Sequence, residues 1–214
     1  MSNDPISNHE VYAEAVQFLS NIDADWAQLI STVGACTLAA ETEPELSPYQ
    51  ALVQAVAYQQ LHGKAGGAIF AKFKMHFSGF PTPAQLLAAH FDDLRACGFS
   101  GRKIETIQGI AQAALNGLVP TCDEAHTMSD EALIERLITL NGIGQWTVEM
   151  MLIFTLGRID ILPVNDFAIV AGYTRLKKLS IAPKPKQLAE IGKVWSPYRS
   201  VASWYLWRVP RQIN

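Results

Sequence analysis

The string Leu140-Asn141-Gly142-Ile143-Gly144-Gln145-Trp146-Thr147 carries the clearest chemical signal in this 214-residue chain. Two glycines two residues apart allow a tight reversal with positive φ and no Cβ in the way. They also leave main-chain N–H groups uncovered at the start of a helix, where the dipole favours an anion. Such donors can hold a phosphate oxygen whatever else that phosphate carries, although an ordinary helix–helix turn would use the same residues. Ile143, between the glycines, is expected to point inward and lock the two flanking helices together. Asp166 stands further along, behind Asn165, which suits an N-cap. Read alone, Asp166 is a first-turn acid whose ionised form the helix dipole favours. A fixed negative charge there could also stabilise a developing cation or orient a water.

Helices must position these groups, because apolar residues recur at three- and four-residue spacing and strand alternation does not appear. Val11, Ala15 and Phe18 mark a first amphipathic helix, and Trp26, Leu29 and Ile30 a second. The acidic stretch 41–45 reads as a loop. Ser47-Pro48 is an N-cap followed by proline at the first helical position, opening a helix with Tyr49, Leu52, Val53, Val56 and Ala57 on one stripe. Gly63, Gly66 and Gly67 read as a break before an apolar helix through Phe70 and Phe73, with short helices after Pro81 and Pro83. A helix from about Gly101 to Leu115 carries Ile104, Ile107, Ile110 and Ala111 inward. Ser129 caps a helix burying Leu133, Ile134, Leu137 and Ile138, which leads into the glycine turn. The next helix, Gln145 to about Leu156, is apolar nearly all round, as befits the centre of a core. Asn165 opens a helix through Tyr173, one more follows Pro183–Pro185, and Ser196-Pro197 begins the last, with Trp204 and Trp207. The architecture is all-α.

Apolar residues make up 49% and charged residues 17% of the chain, so much of it must be buried. Its longest nearly continuous apolar run, Met150 to Leu156, is too short to span a bilayer. The N-terminus lacks a basic, apolar targeting pattern, and a reducing cytoplasm is expected. Cys36, Cys97 and Cys122 lie far apart, and the five histidines lack ligand spacing. Neither a zinc site, a disulfide framework nor a four-cysteine iron–sulfur cluster is supported. The net charge of −3 conceals a gradient: residues 1–45 hold eight acids and no Lys or Arg, whereas 141–214 hold ten basic residues and four acids. That asymmetry permits a basic face toward phosphates and equally an unevenly solvated surface.

The segment Leu140–Asp166, with its connector GRIDILPVN, resembles the helix–hairpin–helix DNA glycosylase superfamily. LNGIGQWT, LPVND and SPYRSVASWYLW are most similar to the short form of the DNA-3-methyladenine glycosylase II branch. The likeness reaches back through LVQAVAYQQL and FSGRKIETIQGIA, so it covers about residues 47–208. It implies a single two-lobed domain over 1–214, with an active-site cleft between lobes. The hairpin is expected at about 139–147, one helical lobe at about 48–130, and the other from the N-terminal helices plus about 131–214. The implied activity is hydrolysis of the N-glycosidic bond of alkylated purines in double-stranded DNA, by base flipping, with Asp166 catalytic. Bifunctional relatives carry a lysine two residues after the second hairpin glycine. Trp146 stands there and cannot form a Schiff base, so water is the expected nucleophile.

The same resemblance implies the remaining site residues. A wedge fills the gap left by the flipped base, at Gln60 or its neighbour Leu61. Gln59, Trp146, Met150, Phe167 and Trp207 line the base pocket. Gly142, Gly144 and Thr147 meet phosphates at the hairpin, and Arg102 and Lys103 are candidates for a second phosphate patch. Carbonyls of Ile138, Leu140 and Ile143 are candidates for a structural monovalent cation; no other cofactor is implied. The partner is duplex DNA with alkylated bases, not a membrane, and the chain is expected to be a monomer. A non-catalytic hairpin module that binds DNA and a glycosylase for deaminated or oxidised bases are the alternative readings.

Overall fold

The computed structural model of the chain describes residues 5–59 and 63–211. The described residues form α-helices, one short 3-10 helix and no strand, as the apolar spacing predicts. In chain order the helices are α1 (Pro5–Ser20), α2 (Ala24–Val33), α3 (Leu38–Glu41), α4 (Pro48–Tyr58), α5 (Gly63–His76), α6 (Pro83–Ala88) and α7 (Phe91–Cys97). They continue with α8 (Gly101–Leu115), α9 (Cys122–Thr127), α10 (Asp130–Leu137), α11 (Gln145–Phe154), α12 (Phe167–Leu176), α13 (Pro185–Ile191) and α14 (Arg199–Leu206). No helix among the described residues is long and apolar enough to cross a membrane.

The chain divides into two compact units, one being Glu43–Leu156. It therefore runs past residue 130, where the sequence places the end of a lobe, and takes in the whole hairpin. The cause is packing: α11 lies against α4 as well as α10, and buries Val148, Met151, Leu152 and Ile153. Ser47 and Ser129 cap α4 and α10 as their types predict. The glycines at 63, 66 and 67 are not a break but part of α5. A Cβ on Gly66 would come within 2.6 Å of the Tyr58 ring, so glycine lets α5 lie against α4. Further along, α10 ends at Leu137, leaving Ile134 half-buried and Ile138 exposed instead of buried. Likewise α11 ends at Phe154, short of Leu156.

The other unit joins Met1–Thr42 to Gly157–Asn214. Ala15, Leu19, Trp26, Ile169, Trp195, Val201 and Tyr205 form its core, with Trp26 and Trp195 meeting edge to face. Gly172 sets the spacing of α12 and α14, because a Cβ there would fall 2.1 Å from the Leu206 carbonyl oxygen. The last helix starts at Arg199, not at Ser196-Pro197. Asp160 organises the segment ahead of it, accepting hydrogen bonds from Ser196 Oγ, the Arg199 N–H and the Arg199 guanidinium at 2.8–3.1 Å. Asp160 is thus the anchor of the C-terminal helix.

Candidate functional site

In the hairpin, only Gly142 needs glycine's conformational freedom, with φ of +83°. A Cβ on it would also fall 2.5 Å from Thr106 Oγ1, so the turn sits directly against α8. Ile143 is buried, as its place between the glycines predicts. Gly144 differs from the expectation of positive φ at both glycines: it is the N-cap of α11, with φ of −96°. A Cβ there would touch nothing within 4 Å, and glycine offers no side chain to cap the first N–H groups of α11.

Thr147, expected to face phosphate, is turned inward with only 3% of its surface exposed. Its N–H bonds the Gly144 carbonyl, and its Oγ1 faces Gln59 Nε2 at 3.5 Å. The same Gln59 amide nitrogen lies 3.4 Å from the Gly142 carbonyl oxygen and so ties the end of α4 to the hairpin. Lys103 is also employed differently from the expectation. Its ammonium donates to the carbonyls of Ala57 and Gln59 at 3.0 and 2.9 Å, which caps the C-terminus of α4. Desolvation of that ammonium lowers its pKa. Arg102 stays exposed. It lines, with Gln59, Ser100, Lys103, Thr106 and Gly142, a polar recess of about 260 Å³. The two stretches singled out for phosphate, the hairpin and the start of α8, thus meet in one place.

A larger cavity of about 610 Å³ opens between α4 and α11. Gln59, Trp146, Thr147 and Met150 line it, together with residues that sequence reasoning missed: Tyr58, Gln54, Phe154 and Glu43. The signal was present in the spacing. Ala51, Gln54, Ala55 and Tyr58 share one face of α4, and Trp146, Met150 and Phe154 repeat every four residues along α11. Trp146 keeps 44% of its surface exposed.

Asp166 lies in the other unit. It is itself the N-cap of α12, one residue later than the Asn165 cap inferred from sequence, and its Oδ1 accepts the Ile169 N–H at 2.9 Å. The indole N–H of Trp207 donates to the same oxygen at 3.2 Å. Both donors fix the orientation of the carboxyl group at the start of α12. Trp207, expected as a pocket wall, thus also holds the acid. Phe167, the first residue of α12, is 85% exposed. Gln60 and Leu61, the wedge candidates, lie outside the described residues. The carbonyls of Ile138, Leu140 and Ile143 fall in the turn after α10, where Leu140 accepts the Ile143 N–H at 3.1 Å. Neutral hard oxygens of this kind suit a weakly charged cation, and a carbonyl's second lone pair remains available to one.

Residues 53–197 match the model of the HhH-GPD superfamily of base excision DNA repair proteins. The chain is 43% identical to DNA-3-methyladenine glycosylase 1 of Schizosaccharomyces pombe, over 90% of its own length and 85% of that protein's. Its fold is similar to the solved structure of a S. pombe 3-methyladenine DNA glycosylase in complex with abasic DNA. The TM-score is 0.83 at 42% identity, with 91% of this chain and 95% of that chain covered. A DNA-3-methyladenine glycosidase from Bacillus halodurans is similar at a TM-score of 0.80 and 34% identity, covering 91% of this chain and 88% of that one.

Proposed function

The chain belongs to the HhH-GPD superfamily of base excision DNA repair proteins, and from that membership we propose that it is a monofunctional DNA glycosylase. It hydrolyses the N-glycosidic bond of alkylated purines of the 3-methyladenine and 7-methylguanine type in duplex DNA. The observation that carries this reading is the Asp166 carboxylate, fixed on Oδ1 by the Ile169 N–H and the Trp207 indole. A carboxylate oriented in this way stabilises the oxocarbenium character that develops as the base leaves, and can orient the attacking water. Alkylation at N3 or N7 makes the base a cation and weakens its bond, so departure needs no strong general acid. Trp146 supplies no amine, and the sugar is attacked by water, not by the protein.

In this reading the N–H groups at Gly142 and Gly144 and the Arg102 guanidinium hold phosphates. Lys103 and Thr147 act from inside, by fixing α4 and Gln59. Gln60 or Leu61 fills the gap left by the flipped base. Trp146, Met150 and Gln59, with Phe167 and Trp207, receive the base. Carbonyls of Ile138, Leu140 and Ile143 would hold a monovalent cation that stiffens the hairpin. The protein is proposed to work as a monomer in a reducing, cytoplasmic compartment, in which Cys36, Cys97 and Cys122 would stay as thiols.

The test is incubation with duplexes that each hold one defined lesion, scored for base release and for strand breaks before and after alkali. Release of 7-methylguanine with the strand intact until alkali is added is the expected result. Release of 8-oxoguanine with strand cleavage, and of no methylated purine, would contradict it.

A further inference from the structure

Glu43 occupies a position that neither the hairpin nor Asp166 explains. It lines the cavity between α4 and α11, among Trp146, Tyr58, Met150 and Phe154. It sits in the acidic stretch that reads as a loop, yet it is held from both sides. Its N–H donates to the Phe154 carbonyl at 2.7 Å, and its own carbonyl accepts the Leu46 N–H at 3.0 Å. The side chain is fixed as well, with Gln54 Nε2 donating to Oε2 at 2.8 Å. Among the described residues its carboxylate is bonded to this neutral amide and to no cation. The main chain at both ends of the residue and an amide thus place a negative charge on a cavity otherwise bounded mainly by aromatic, thioether and alkyl surface.

We propose that Glu43 is a specificity-determining residue that selects a positively charged purine over a neutral one. The inference rests on the glycosylase reading above and narrows its substrate class. Aromatic faces attract a cation but also stack on neutral bases. A carboxylate adds what they lack, an attraction present only when the base is charged. A cationic 7-methylguanine gains from Glu43, whereas guanine and neutral adducts such as 1,N6-ethenoadenine gain nothing and lose hydration. Gln54 is a positioning residue, acting only through the carboxylate it holds.

The test is Glu43→Gln, which keeps size and hydrogen-bonding reach and removes the charge. Glu43 is exposed, so the variant is expected to fold. Three readouts are taken on matched duplexes: single-turnover release of 7-methylguanine, single-turnover release of 1,N6-ethenoadenine, and affinity for an abasic duplex. Loss of a partly screened charge contact predicts a fall in 7-methylguanine release of about tenfold. Ethenoadenine release holds or rises, and abasic affinity is unchanged, because that product has no base to recognise. A 7-methylguanine rate within a factor of about two of the parent, or an equal fall in all three readouts, would overturn the assignment. A parent protein that releases no methylated purine at all would instead refute the glycosylase reading, and this inference with it.

Discussion

At the scale of single residues, the pairing of Asp166 with Trp207 separates two jobs that a tryptophan can do near a reacting base. Its ring can stack, and its N–H can hold a carboxylate, here at 3.2 Å from Oδ1. Trp207→Phe keeps the first and removes the second. The expected outcome is a single-turnover rate lowered by about tenfold or more, since a hydrogen bond to a charged group is worth about 1.5–3 kcal/mol. Affinity for abasic duplex should not change. An unchanged rate would leave the indole N–H with no part in holding the acid. The sequence shows both residues but not their contact, which depends on Gly172 bringing α12 close to α14. Lys103 is a similar case. A lysine at a helix start looks like a surface cation, and only the fold reveals the carbonyls of Ala57 and Gln59 waiting for it.

At the scale of elements, the two hairpin glycines are required for different reasons, and substitution separates them. Gly142→Ala must place a side chain at φ of +83° and against Thr106. It should lower stability by about 2–4 kcal/mol, the left-handed backbone and the crowding each contributing. Gly144→Ala meets neither obstacle, having φ of −96° and open space at the Cβ. Denaturant midpoints should show it within about 1 kcal/mol of the parent, the small loss reflecting alanine's poorer fit at an N-cap. If the α11 N-terminus takes a phosphate, the same variant should bind every duplex about tenfold more weakly, one charge-assisted hydrogen bond being lost. Equal DNA affinity in the folded Gly144→Ala protein would make the hairpin a structural turn only. Helices with clear stripes or caps, α4, α8 and α10, are legible in the sequence because burial and capping are local in the chain. The α5 glycines were not, because what they accommodate is the Tyr58 ring of another helix.

At the scale of the whole molecule, acidic groups are distributed unevenly in what they do. Asp23, Glu41 and Asp160 all lie in the unit formed by Met1–Thr42 and Gly157–Asn214. Burial alone would raise their pKa values, but hydrogen bonds and ion pairs with Lys177, with Arg208 and Trp204, and with Arg199 respectively hold each below its ordinary value of 3.8 or 4.5. A depressed carboxylate contributes stability that is complete above its ordinary value and lost as pH falls through its folded one. Hydrogen exchange followed from pH 6 to pH 3 should therefore show protection lost first in α2, α12 and α14, and Asp160→Asn should flatten the trend. Protection lost first in α4 and α8 would contradict it. The charge gradient along the chain foreshadows none of this, because the acids of residues 1–45 that titrate low do so through cations far away in sequence. What sequence does expose is the motif chemistry, the glycine turn and the aspartate; what it hides is each partner that chain reversal supplies. The central claim, that Asp166 drives hydrolysis of the bond to an alkylated purine, is tested most directly by single-turnover release of 7-methylguanine from a defined duplex by the parent and by Asp166→Asn, with DNA affinity measured alongside. Release by the parent, a fall of at least about 100-fold in the variant, and affinity retained by both are expected, because the charge acts on the transition state while phosphates are held elsewhere. A variant that keeps most of the parent's rate would contradict it.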